Sequence, residues 1–197
     1  MSIVTIGIDN GLFGAVVAVN QDFNLVFYRD TPIANLTKTK RGGKKSIAHE
    51  FAPTAMKETL QSALDAANDW YFPKEPQIRI WLEVAHAMPQ QGLSSTFKTG
   101  RGFGLWEGIV VGLGLPYDIV HAKTWTKEML KDVPAGDPKD RSMIKAQRLF
   151  GSKLPLTKPG GRVLSLDGRA DAALIACYGM TCMTFSELTK KSPVRKK

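Results

Sequence analysis

Residues Ile3 to Ile8 read Ile-Val-Thr-Ile-Gly-Ile, a largely apolar, β-branched run, and Asp9, Asn10 and Gly11 follow it as turn residues. A run without a polar face suits a strand buried on both sides. Its last residue is then where the backbone first meets solvent and can present a carboxylate. Gly14 to Val19 starts a second strand, and Leu25 to Arg29 reads as a third after the Gln21–Asn24 turn. Three strands within the first thirty residues form an antiparallel meander. An acidic residue closing the first strand of such a meander is compatible with two chemistries. One is metal-dependent cleavage of polynucleotides, the other phosphoryl transfer from ATP held by glycine loops.

With 197 residues and 43% hydrophobic composition, the chain can bury a proper core as one domain. That domain is expected over residues 1–185, with a basic loop at about 31–48 and a flexible basic tail over 186–197. Cys177 and Cys182 both lie in an apolar stretch, which suits packing in a reducing compartment. No basic region precedes the first apolar run, and neither a cleavage-site pattern nor Arg-rich transit character follows. The expectation is a cytoplasmic protein, nucleoid-associated, or in the host cytoplasm if phage-encoded. No membrane association is expected.

The formal charge of +9 is unevenly spread. Thr37 to Lys45 holds five basic residues and no acidic one, and the stretch from Lys190 to the end holds five more. Of 27 basic residues these ten are set apart, leaving 17 against 18 acidic ones, so the body is near neutral. Basic segments of this kind suit phosphate-backbone binding by counterion release, or act as solvated loops.

Further along, Ser46 to Tyr71 has apolar residues at helical spacing, ended by Pro73 and Pro76, and predicts a helix of about five turns. Gln77 to Val84 predicts a strand in which Glu83 lies opposite the aliphatic set. A helix is expected from Ser94 or Ser95 through Leu113. Its glycines at 100, 104, 108 and 112 share one stripe, and their cost of about 1 kcal/mol each predicts a close packing contact there. Leu115 to Val120 reads as a strand, Lys123 to Leu130 and Lys139 to Phe150 as helices, and Leu154 to Arg162 as a mobile segment over the site.

A last helix starts at Asp167-Gly168-Arg169-Ala170-Asp171, placing Asp167 and Asp171 one turn apart on one face. Like charges at this spacing repel, and a cation between them would reverse the sign. Capping and the helix dipole account for Asp167 but poorly for Asp171. Asp9, Glu83, Asp167 and Asp171 are hard oxygen ligands of the kind that suit Mg²⁺ or Mn²⁺. Two such ions about 4 Å apart can activate water and stabilise the leaving oxygen in phosphodiester hydrolysis. His49, His86, His121 and the two cysteines have no zinc-ligand spacing. His86 and His121, just beyond strand ends, are candidates to touch substrate.

The order Gly7-Ile8-Asp9-Asn10-Gly11, Leu82-Glu83, Ser95 through Gly108 with Lys98, Gly100, Arg101 and Gly102, then Asp167 and Asp171-Ala172-Ala173, resembles the RuvC family of Holliday-junction resolvases. Phe103-Gly104-Leu105-Trp106, the Trp125 segment, Leu149-Phe150 and Leu174 to Gly179 resemble its phage, bacterial and plastid branch. The resemblance covers residues 3 to about 180. It implies an α/β, RNase H-like fold with a central mixed β-sheet, an antiparallel meander and flanking helices. It also implies a homodimer with two active sites, making paired Mg²⁺-dependent nicks in a four-way junction. Asp9, Glu83, Asp167 and Asp171 would be the metal ligands, with two ions per site and Mn²⁺ as a substitute. The chain departs from the family by having Asn10 where a proline is usual and Asp167 where relatives of this branch often carry His. His86 stands about where the bacterial resolvases place an aromatic wedge.

Lys98, Arg101, Lys123, Lys127 and Arg169 are the expected DNA contacts, with Lys44 and Lys45 of the basic loop as an additional grip. An RNase H-like nuclease acting on RNA–DNA hybrids would share the metal site. A purely architectural DNA binder would use the basic segments and leave four spaced carboxylates unexplained, since acids near DNA repel phosphate unless a metal intervenes. The kinase-like alternative needs two related halves with phosphate-binding glycine loops, for which the chain is short.

Overall fold

The computed structural model describes residues 2–39, 42–86, 92–157 and 166–190, the last six as backbone only. The first strand, β1 (Ile3–Ile8), is wholly buried, as is β2 (Ala15–Asn20); β3 (Leu25–Asp30) is half-buried. β1 pairs antiparallel with β2, and β2 with β3, so the expected meander is present. β6 (Gln77–Glu83) joins the other side of β1 in parallel, with Ile8 opposite Leu82. β7 (Tyr117–Val120) extends the sheet in parallel, giving the order β3-β2-β1-β6-β7. β1 therefore lies at the centre, which is why its sequence carries no polar face.

Helices cover both faces. On one side α1 (Pro53–Tyr71) and α2 (Leu93–Gly112) pack Met56, Leu60, Ala63, Trp106 and Val110 against Ile6, Ile8, Val16, Ile80 and Leu82. On the other, α4 (Pro138–Phe150) and α5 (Asp167–Lys190) pack Ala146, Phe150, Ala172, Ala173 and Ala176 against Ala15, Val17 and Val19. The small side chains of α5 let its backbone approach the sheet. Thr5 donates a buried hydrogen bond of 2.8 Å to the carbonyl of Ala176. α3 (Ala122–Met129) follows β7, and its Trp125 packs with Trp81, Val120 and Leu174.

Ser46 to Phe51 is not the start of α1 but most of a strand, β5 (Lys45–Phe51), paired antiparallel with β4 (Ile33–Thr39) in a separate two-stranded sheet. The basic segment expected as a loop is thus a hairpin, turning through Gly42 and Gly43 at positive φ. The helix begins only at Pro53, whose ring suits its first turn and holds Ala52 out of helical geometry.

The stripe of Gly100, Gly104, Gly108 and Gly112 meets nothing: a Cβ on any of them would have no neighbour within 4 Å. The tight contact of α2 is made by Gly102, where a Cβ would sit 2.4 Å from the carbonyl oxygen of Asn10 and 2.6 Å from the Phe51 ring.

Helix α5 continues to Lys190, into the stretch expected as a tail from 186; residues 191–197 lie outside the described residues. Of the segment expected to be mobile, Leu154 and Leu156 are buried, and 158–162 lie outside the described residues. Cys177 is buried, Cys182 is partly so, and both are free. No helix among the described residues is long and apolar enough to cross a membrane.

Candidate active site

Strand alternation carries Asp9 to the face of β1 that also bears Thr5, the face against which α5 packs. Its backbone N–H still donates to Ala15, and its Oδ1 accepts from the N–H of Gly11 at 2.9 Å, closing the turn. Glu83 ends β6 on the corresponding face. Asn10, 5% exposed, donates from its side-chain amide to the backbone carbonyl of Glu83 and so ties the ends of β1 and β6.

The first turn of α5 lies over these strand ends. A Cβ on Gly168 would be 3.0 Å from Asp9 Oδ2, so Asp167 and Asp171 on either side of it face the same space as Asp9. The four expected carboxylates are therefore gathered at one end of the sheet, and each is close enough to perturb others.

Burial followed by Asp9 pushes the Glu83 carboxyl up to about 8, opposed by the N–H of Trp125, which donates to Oε1 at 3.1 Å. Burial, then Asp9, raises Asp171 to about 7, opposed by the hydroxyl of Ser142. Burial raises Asp9 to about 6, opposed by Gly11; Asp167 adds to the rise and Lys139 works against it. Asp167, whose side chain is 22% exposed, pairs through Oδ2 with Lys139 Nζ at 2.6 Å.

Asp171 Oδ1 is buried without a hydrogen-bond partner. An unpartnered buried carboxylate oxygen facing three further carboxylates is a donor set of the kind hard divalent cations take. Among the described residues, no three His, Cys, Asp or Glu side chains converge closely enough to close a coordination shell by themselves. Asp167 is drawn toward Lys139 and Glu83 toward Trp125, so these two would have to reorient toward a shared ion. As placed, the four carboxylates share one end of the sheet without forming a ready-made metal site among the described residues.

Lys139, Trp125 and Ser142 were not singled out from sequence as site residues. Lys139 stands at the second position of α4, where a solvated lysine is the ordinary reading, and only the packing of α4 on α5 brings it to Asp167. Trp125 is 2% exposed and reaches Glu83 through its indole N–H.

The expected DNA contacts fall into separate groups. Lys98 and Arg101 on α2 both reach Glu50 of β5, at 3.5 and 3.0 Å. Lys123 and Lys127 are exposed on α3 and border a shallow cleft of about 280 Å³ that also includes Arg141. Lys44 and Lys45 are exposed at the turn end of the hairpin.

Arg169 is held inside the fold. It pairs with Asp30 through two nitrogens, donates to the carbonyl of Pro155 at 2.8 Å and lies over the Tyr28 ring. His86 and His121 stack with centroids 4.9 Å apart and share a 2.8 Å contact between Nε2 and Nδ1, just beyond Glu83.

Comparison with solved structures places the architecture. The structure of T. thermophilus RuvC in complex with a Holliday junction substrate matches with a TM-score of 0.50 at 12% identity, covering 92% of this chain and 96% of that one. A second Thermus thermophilus RuvC structure matches at 14% identity and TM-score 0.45, covering 92% and 98%. The yeast mitochondrial Holliday junction resolvase Ydc2 matches at 14% identity and TM-score 0.44, covering 95% and 83%. No protein-family model and no curated protein sequence matches. The five-stranded mixed sheet with helices on both faces is thus the RuvC-like, RNase H-type fold anticipated from the motifs.

Proposed function

We propose that this chain is a metal-dependent DNA endonuclease that resolves four-way junctions by paired nicks in opposed strands. The observation that carries the reading is the gathering of Asp9, Glu83, Asp167 and Asp171 at one end of the sheet, with Lys139 as the cation paired among them. Carboxylates gathered and partly desolvated in such number weaken a fold unless a positive partner offsets them. The likeness in fold to a RuvC bound to a Holliday junction substrate supports the choice of DNA and of a branched substrate.

Asp9, Glu83, Asp167 and Asp171 would hold Mg²⁺, or Mn²⁺ in its place, as up to two ions. Bound there, the cation supplies an activated water and a counter-charge for the leaving oxygen. The chain's own residues set the stage for that chemistry. The turn through Gly11 fixes the Asp9 carboxylate, and Asn10 fixes the end of β6 relative to β1. Trp125 orients Glu83, and Lys139 screens Asp167 from its neighbours.

Exposed Lys123 and Lys127 on one side, and Lys44 and Lys45 on the other, would grip the phosphate backbones of the arms. Cutting two opposed strands calls for two such sites, hence a homodimer.

The test is incubation of the purified protein with a labelled four-way junction, a linear duplex and an RNA–DNA hybrid, each with Mg²⁺ or with EDTA, beside Asp9→Asn. Symmetric nicking of the junction alone, dependent on metal and lost in the variant, is expected. Cleavage of the hybrid would reassign the protein to RNase H-type activity, and tight junction binding without cleavage in any metal would make it an architectural binder.

A further inference from the structure

A cleft of about 510 Å³ lies between the β4–β5 hairpin and the first turns of α2, away from the carboxylates. Its walls combine two kinds of side chain. Lys38, Lys98 and Arg101 supply positive charge, opposed among the described lining residues by Glu50, whose side chain is 19% exposed. Phe97 presents its ring to solvent, 70% exposed, on the same wall.

A series of contacts links the cleft to the candidate active site. Phe13, 68% exposed in the turn after Asp9, meets the His49 ring edge-on at 5.8 Å. The backbone carbonyl of His49 accepts from Lys98 Nζ at 3.1 Å, and Glu50 holds Lys98 and Arg101 side by side. Arg101 adjoins Gly102, the residue by which α2 rests on the Asn10 carbonyl. From Gly102 back to Lys98 is about 6 Å along the helix axis.

An exposed ring beside three cations in one cleft suits one kind of nucleic acid. A duplex keeps its bases stacked inside and offers an exposed phenyl ring nothing to stack on. An unpaired strand offers a base face for each ring and a phosphate for each cation.

We propose that this cleft binds an unpaired nucleotide of the DNA substrate, with its base stacked on Phe97 and its phosphates on Lys38 and Lys98. Glu50 is a positioning residue: its two ion pairs hold Lys98 and Arg101 along the wall of the cleft. The proposal rests on the reading of the protein as a DNA-cleaving enzyme only for its substrate class, because binding in the cleft needs neither metal nor cleavage.

The full chain is tested in EDTA by fluorescence anisotropy, with a labelled twelve-nucleotide single strand and the corresponding duplex. Phe97→Ala is expected to weaken single-strand binding by roughly 10-fold and to leave duplex binding within about 2-fold. Phe97→Tyr restores it. A strand carrying 5-iododeoxyuridine is expected to photocrosslink to the peptide that contains Phe97.

Equal single-strand affinity for wild type and Phe97→Ala would overturn the proposal. So would an equal loss on both nucleic acids, or a change in the mass of the free protein in Phe97→Ala, which would make the ring a contact between copies of the chain. A wild type that nicks no junction yet shows the Phe97-dependent binding would defeat the nuclease reading and leave the cleft assignment standing.

Discussion

Asn10 donates its side-chain amide to the backbone carbonyl of Glu83, so the ends of two parallel strands that each deliver a carboxylate are bonded to one another. Asn10 itself is buried, and Gly102 of α2 packs on its backbone carbonyl. A proline, the residue usual here in the family the motifs resemble, could not make the bond to Glu83.

Asn10→Ala removes that donor and leaves the Glu83 carbonyl short of a partner, at a cost of about 1–3 kcal/mol. A lower denaturation midpoint with an unchanged m-value is expected, together with a larger proportional loss of junction nicking, because Asp9 and Glu83 lose their fixed separation. An equal midpoint and equal nicking would show that the bond positions nothing.

The pH dependence has a definite sign. Asp9, Asp171 and Glu83 are raised above the ordinary carboxylate range, to about 6, 7 and 8, chiefly by burial. The folded chain therefore holds protons that the unfolded chain has released, and in EDTA its stability must fall as pH rises from about 4.5 through 8. Mg²⁺ competes with those protons, so its stabilising effect grows over the same range and the concentration needed for half-maximal nicking falls. Thermal melts between pH 5 and 8.5, with EDTA or Mg²⁺, check both signs. A metal-free stability that rises across this window contradicts the account.

Trp125→Phe keeps an aromatic ring in the core and deletes the N–H that favours ionised Glu83. The acidic limb of the nicking profile is expected to move to higher pH, with a modest loss of stability from the smaller ring. Nicking measured from pH 5.5 to 9 at saturating Mg²⁺ reads the displacement; an unmoved limb would mean that the indole only packs.

Lys139→Ala acts on charge alone, since the lysine side chain is 71% exposed and its pairing with Asp167 adds little to stability. Freed from it, Asp167 is available to a cation bound among the carboxylates. Tighter Mn²⁺ binding with a midpoint change within about 0.5 kcal/mol is expected. Calorimetric titration decides it, and weaker binding would assign Lys139 a supporting part in holding the ion.

Much of this arrangement was legible in the chain itself. The unbroken apolar run before Asp9 marks a central strand because only a strand covered on both faces dispenses with a polar side. The alternation in Gln77 to Val84 places Glu83 opposite the aliphatic residues, and the helix start at Asp167 follows from its turn residues. What was missed depends on partners distant in sequence. Ile47, His49 and Phe51 alternate as a strand only when β4 is laid beside them, and read alone they merge with the apolar period of α1. The four exposed glycines of α2 gave a false packing signal, whereas Gly102, on the opposite face of the helix, bears the contact. Lys139 and Trp125 reach the carboxylates through the packing of α4 and α3 on α5, which no local pattern encodes.

The central claim is that the four carboxylates form one cation-binding centre, and titration of the full chain with Mn²⁺, following free Mn²⁺ by electron paramagnetic resonance, tests it most directly. The account predicts one or two ions per chain for the wild type, with binding abolished in Asp9→Asn and Asp171→Asn while both variants still fold. Undiminished Mn²⁺ binding in both variants would contradict it, whatever the protein does to DNA.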